Sequence, residues 1–154
     1  MKKTLILTIL LFTCFFALGQ DIASGNIITK ELGEYNKKGN KTGEWEILEN
    51  GKLSRIEMYV DGEKTESKSY YKNGQLIYIE KFKKGNRDGE RKVYHRNGQL
   101  MKIENYSKGK NVGEWKRYHL NGQLWFVKQY DDGKEIGEWK YYDEKGNLIK
   151  IEKY

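Results

Sequence analysis

From Gly43 onward the apolar positions of the chain return at a fixed interval. Leu76, Leu100, Leu124 and Leu148 recur in step, then Ile79, Ile103, Val127 and Ile151, then Phe82, Tyr106, Tyr130 and Tyr154. Glycines keep the same beat, since Gly89, Gly113 and Gly137 are 24 residues apart, as are Gly74, Gly98, Gly122 and Gly146. A slightly shortened earlier copy runs from Gly43 through Gly51, Leu53, Ile56 and Tyr59 to Gly62, and Gly39–Gly43 reads as the end of a partial one before it. A unit this short cannot bury its own apolar side chains, so the copies must stack on one another.

Each copy carries two turn signals separated by 6 to 8 residues rich in Tyr, Trp, Ile and Val. Asn73-Gly74, Asn97-Gly98 and Asn121-Gly122 predict two-residue type I′ hairpins, which need positive φ at both centres. Lys84-Gly85, Lys108-Gly109 and Asp132-Gly133 predict a slightly longer second turn. No proline interrupts the ladder. A glycine every eleven to thirteen residues argues against helices, at about 1 kcal/mol for each interior glycine. The reading is all-β: about five antiparallel hairpins of period about 24 in an elongated, twisted single sheet, with about ten strands making a ribbon roughly 45 Å long. One feature resists a simple alternation. Trp115, Tyr118, Leu124, Val127 and Tyr130 are separated by multiples of three, so either bulges re-aim side chains or both faces carry rings.

Composition narrows the class. Of 154 residues 14% are aromatic and 33% charged, too aromatic for disorder and too polar for a large core. Residues 1–19 read as a signal peptide: Lys2-Lys3, an apolar run from Leu5 to Phe16, and Ala17-Leu18-Gly19 ahead of a cut before Gln20. A retained span would need about 20 apolar residues. The one cysteine, Cys14, falls within the leader, so the mature chain would have neither disulfide nor thiol chemistry. Residues 20–32 form a lead-in, and 33–154 the repeat domain.

Catalytic chemistry finds little support. His95 and His119 share one repeat position, which places them two strands apart, roughly 10 Å, too far for one metal. Glu44, Glu66, Glu90, Glu114 and Glu138 form a register-locked row best explained by cross-strand pairing with Lys68, Lys92, Lys116 and Lys140. There is no phosphate loop, nucleophile elbow or dinucleotide fingerprint. No catalytic residue, metal site or cofactor is expected.

Charge breaks the uniformity. The chain is net +7, and residues 65–112 hold 12 basic against 5 acidic side chains. That basic middle suggests an acidic partner or surface. Glutamates interleave with it, so nucleic acid is not expected.

The pattern G-E-W-K-x-Y-x-x-N-G-Q-L-x(5)-Y-x-x-G-K, clearest from Gly113 to Lys134 and again from Gly137 to Tyr154, resembles the bacterial variant of the membrane occupation and recognition nexus (MORN) repeat. Repeat two departs from it, with Thr65 in the leading glycine place and Ser67 in the tryptophan place, and repeat three carries Arg91 there. The resemblance implies stacked β-hairpins acting as scaffold, protein-binding or lipid-associated modules, and many bacterial members are catalogued as antitoxins. With the leader, it points to an exported, non-enzymatic protein in the periplasm, at the envelope or secreted, binding an unidentified protein. The alternatives are a membrane-surface module for anionic lipid and an antitoxin or immunity-like neutraliser. Candidate binding residues are the rings Trp45, Trp115, Trp125, Trp139, Tyr94 and Tyr118 and the cations Lys83, Lys84, Arg87, Arg91 and Arg96. Partner identity and oligomeric state are not written in the sequence.

Overall fold

The computed structural model describes residues 22–24 and 27–154. The expected leader lies outside the described residues. Those residues form thirteen strands of one antiparallel sheet in which each strand pairs with the next in sequence, except that β8 pairs with both β9 and β10. Strands β1 (Ile22–Ser24) and β2 (Ile27–Tyr35) open the sheet, so the lead-in segment is itself part of the ribbon. Next come β3 (Lys41–Glu49), β4 (Lys52–Val60), β5 (Glu63–Tyr70), β6 (Leu76–Lys83), β7 (Asn86–Tyr94) and β8 (Leu100–Ser107). The short β9 (Lys110–Asn111) and β10 (Gly113–Tyr118) both pair with β8, and β11 (Leu124–Asp131), β12 (Lys134–Tyr142) and β13 (Leu148–Lys153) complete the array.

The two turn classes exchange the geometries expected of them. Asn73, Asn97 and Asn121 keep negative φ while Gly74, Gly98 and Gly122 reach +85° to +86°. Gly98 N–H donates to His95 O and His95 N–H to Gln99 O, the signature of a three-residue loop closed by a left-handed glycine. The asparagine instead accepts from the backbone, as Asn97 Oδ1 does from Gln99 N–H at 3.1 Å. The two-residue turns are Lys84-Gly85, Lys108-Gly109 and Asp132-Gly133, where both residues have positive φ and Lys83 pairs directly with Asn86. Asn50-Gly51 is the Asn-Gly pair that does take that form.

Both explanations for the threefold spacing hold. A register shift interrupts each long strand pairing from β2–β3 onward except the brief β8 contacts, as at Arg117/Tyr118. Because of that bulge, Tyr118 and Lys116 oppose Leu124 and Val127 on one face, while Trp115 and Gly113 oppose Lys128 and Tyr130 on the other.

With no second layer among the described residues, the sheet builds its core from the side chains of one face. The buried apolar residues are Trp45, Ile47, Val93 and Trp139. Trp45 is 1% exposed because Gly33 on the neighbouring strand has no side chain, and a Cβ there would collide with the indole ring. Burying such a side chain contributes about 1.5–3 kcal/mol. Lys41 caps the ring with its ammonium 4.0 Å from the centroid.

Candidate binding faces

On the tryptophan face, one register row crosses the ribbon through Trp45, Glu57, Ser67, Glu80, Arg91 and Glu104. Glu57, Ser67, Glu80 and Glu104 are buried, and the three carboxylates are enclosed by donors. Arg91 Nε reaches Glu80 at 3.2 Å and its Nη1 reaches Glu104 at 2.6 Å, joining two strands through one guanidinium. Arg87 Nε also donates to Glu80, at 2.8 Å. Each of Glu57, Glu104 and Glu152 receives the hydroxyl of the tyrosine two residues on, from Tyr59 at 2.7 Å and from Tyr106 and Tyr154 at 3.4 Å. Burial pushes the Glu104 carboxyl up, but Lys102 and Arg91 outweigh it and hold the group below its ordinary value. Glu57 is lowered in the same way against its own burial, by Tyr59 and Lys64.

Composition does not reveal this row. The glutamates singled out by repetition, Glu66, Glu90, Glu114 and Glu138, meet Lys68, Lys92, Lys116 and Lys140 along their own strands and not across them, the Glu90–Lys92 distance being 2.8 Å; Glu138 alone of these four also forms a salt bridge across strands, to Lys153 at 3.4 Å. The buried set has a quieter signal, a glutamate two residues before the closing ring of every copy but the one ending at Tyr130: Glu57-x-Tyr59, Glu80-x-Phe82, Glu104-x-Tyr106 and Glu152-x-Tyr154.

The opposite face carries two rows. One is an unbroken cross-strand alternation of Ile56, Lys68, Ile79, Lys92, Ile103, Lys116, Val127, Lys140 and Ile151. Beside it runs a stripe of cross-strand pairs, Tyr70–Leu76, Tyr94–Leu100, Tyr118–Leu124 and Tyr142–Leu148. Its side chains are half-buried except Leu148, which is exposed, and among the described residues no second layer covers them.

The candidate binding residues therefore fall into four groups. Trp45 and Trp139 are 1% and 3% exposed and serve the fold. Trp115 is half-buried with its Nε1–H bonded to Asn105 O at 3.0 Å, and Trp125 is exposed and stacks on His119 at 5.4 Å. Tyr94 and Tyr118 belong to the stripe on the far face. Lys83 and Lys84 lie at a two-residue turn along one margin of the ribbon, and Arg96 in a three-residue loop along the other, with Arg87 and Arg91 engaged by Glu80 between them. An eight-residue strand spans roughly 26 Å, so the basic middle is not one patch. His119 Nε2 contacts Tyr142 O at 2.9 Å across repeats, a structural staple, and among the described residues no cluster of three His, Cys, Asp or Glu side chains is placed to hold a metal.

The family signature described as "MORN repeat variant" matches residues 65–84, 87–108, 111–132 and 135–154, more than half of the chain. The chain belongs to the MORN repeat variant family. Each matched segment spans a two-strand unit, the first covering most of β5 and all of β6, and the repeats of this family are generally protein- or lipid-binding modules. No curated protein matches the chain. Among solved structures, a chain of the "GtfA/B complex bound to UDP and GlcNAc" aligns at a TM-score of 0.39 and 13% identity, over 90% of this chain and 26% of that one. The MORN protein thus spans about a quarter of that chain's length, and a score this low does not mark a shared fold.

Proposed function

We propose that this MORN repeat protein is a non-enzymatic binding module that docks a protein partner on its tyrosine–leucine stripe, at the cell envelope after export. The observation that carries the reading is the stripe itself: four Tyr–Leu pairs at one register position, spread over eight strands, roughly 34 Å at about 4.8 Å per strand. Tyrosine presents a large rigid ring and a hydroxyl at low entropic cost, which is why it concentrates in interface hot spots. A long open stripe matches a macromolecule, whereas small substrates take enclosed pockets of several hundred cubic ångströms. Export is supported by the order of charge, apolar run and small residues in 1–19, and its readout is a mature N-terminus at Gln20.

The test is quantitative capture from the native envelope by the mature chain, compared with Tyr94→Asp/Tyr118→Asp and with Arg117→Gln on the other face. The stripe variant is expected to lose the partner and Arg117→Gln to retain it, with circular dichroism unchanged in both. Capture lost only in Arg117→Gln would reject the stripe, and flotation with anionic vesicles without any protein captured would move the assignment to a lipid surface.

A further inference from the structure

In the MORN array the glutamate place held by Glu57, Glu80, Glu104 and Glu152 is taken by a cation at one strand. In β8 and β13 the tryptophan face reads cation, glutamate, tyrosine: Lys102-x-Glu104-x-Tyr106 and Lys150-x-Glu152-x-Tyr154. In each, the lysine ammonium sits 2.5 Å from the glutamate. Strand β11 instead reads Phe126-x-Lys128-x-Tyr130, with a ring where the cation stands and a cation where the carboxylate stands. The reversal removes an anion and leaves two cations without a carboxylate. Lys128 rests on rings, its ammonium 3.8 Å from the Trp139 centroid and 5.0 Å from that of Phe126, and Arg117, opposite Phe126, has only the Trp125 ring at 4.8 Å. Among the described residues neither forms a salt bridge, while the cations of the basic middle that face this row, Arg87 and Arg91, both do.

At the same strand the surface has a depression of about 210 Å³ bordered by Arg117 and Lys128, by the rings of Trp115, Phe126 and Tyr130, and by Lys102 and Glu104, whose carboxylate is already paired with Lys102 and Arg91. We infer that this depression, created where β11 breaks the repeat, is a binding site for an acidic saccharide, with Arg117 and Lys128 holding a uronate carboxylate and the rings packing on the C–H face of the pyranose. Two unpaired cations select an anion. The negative faces of aromatic rings attract the positively polarised C–H groups of a sugar. A compact hollow on the face of a sheet does not suit an extended acidic peptide, which would add to a sheet edge. Two cations also do not make the phosphate track that nucleic acid needs. The inference stands apart from the tyrosine stripe, which lies on the other face.

The experiment is calorimetric titration of the mature protein with a galacturonic acid trisaccharide, a neutral galactose trisaccharide and a hexaglutamate peptide. Saturable binding is expected for the uronate alone, weakening as salt rises. Phe126→Lys/Lys128→Glu restores the motif of the neighbouring repeats, so it is expected to stay folded and to lose at least about tenfold in affinity, a loss Arg117→Gln reproduces. Should the double variant fail to fold, Arg117→Gln alone decides. No uronate binding at millimolar concentration, equal binding of the neutral sugar or of hexaglutamate, or unchanged affinity in Arg117→Gln would overturn the assignment.

Discussion

Arg91 shows how a single residue changes meaning once its neighbours are known. By charge alone it belongs to a basic surface, but its guanidinium lies between the buried carboxylates of Glu80 and Glu104, and its side chain is 16% exposed. Arg91→Glu would put three carboxylates together in one row, whereas Lys84→Glu changes an exposed turn. Arg91→Glu is accordingly expected to unfold the central repeats, and Lys84→Glu to shift the melting temperature by no more than the equivalent of about 0.5 kcal/mol. Calorimetric melting of both variants checks this, and similar melting temperatures would show that Arg91 is not part of the framework. Acid titrates the same row. Glu57 and Glu104 have folded-state pKa values below the ordinary 4.5, so their contribution is present above about pH 4.5 and is lost as pH falls through the lowered values. Glu104→Gln is expected to cost about 1–3 kcal/mol at neutral pH and to flatten the fall in stability below pH 4.5, measured by denaturant unfolding at several pH values. These buried glutamates were hard to read from sequence because every strand also carries exposed ones, and only register separates Glu104 from Glu90.

At the scale of the hairpin, the interval of 24 residues was legible, and with it the strands, their order and the single sheet. The turn types were not. A dipeptide such as Asn97-Gly98 fits either a two-residue turn or the end of a three-residue loop, and the choice depends on which residues pair across it. Here Tyr94 pairs with Leu100, leaving too many residues between for a two-residue turn. The consequence falls on Lys84 and Lys108, which hold φ of 50° and 49° without being glycine. That conformation costs an ordinary L-residue roughly 1–2 kcal/mol. Lys84→Gly is therefore expected to stabilise by about 0.5–1 kcal/mol, after allowance for glycine's greater freedom in the unfolded chain. Gly98→Val, at a φ of 86°, is expected to destabilise far more than Gln99→Val. Equilibrium unfolding of the three variants decides it, and a destabilising Lys84→Gly would contradict the turn assignment.

Across the whole molecule, the open sheet separates two tasks. The tryptophan face supplies cohesion through rings, capping cations and enclosed carboxylates, while the other face presents an alternating Ile–Lys row and the uncovered tyrosine–leucine stripe. The candidate rings were visible in the sequence but their faces were not, because a bulge at each long pairing shifts the alternation that would assign them. Trp45 and Tyr94 thus looked equivalent although one is buried in the framework and the other lies on the stripe. Neighbouring residues on opposite faces offer a direct measurement of which face the partner docks on. A photo-crosslinking amino acid is placed at Tyr118, on the stripe, or at Arg117, one residue away on the tryptophan face, and each protein is irradiated in the native envelope. Protein adducts are predicted from position 118 and not from 117; adducts from 117 with none from 118 would contradict the assignment of the partner to the tyrosine–leucine face.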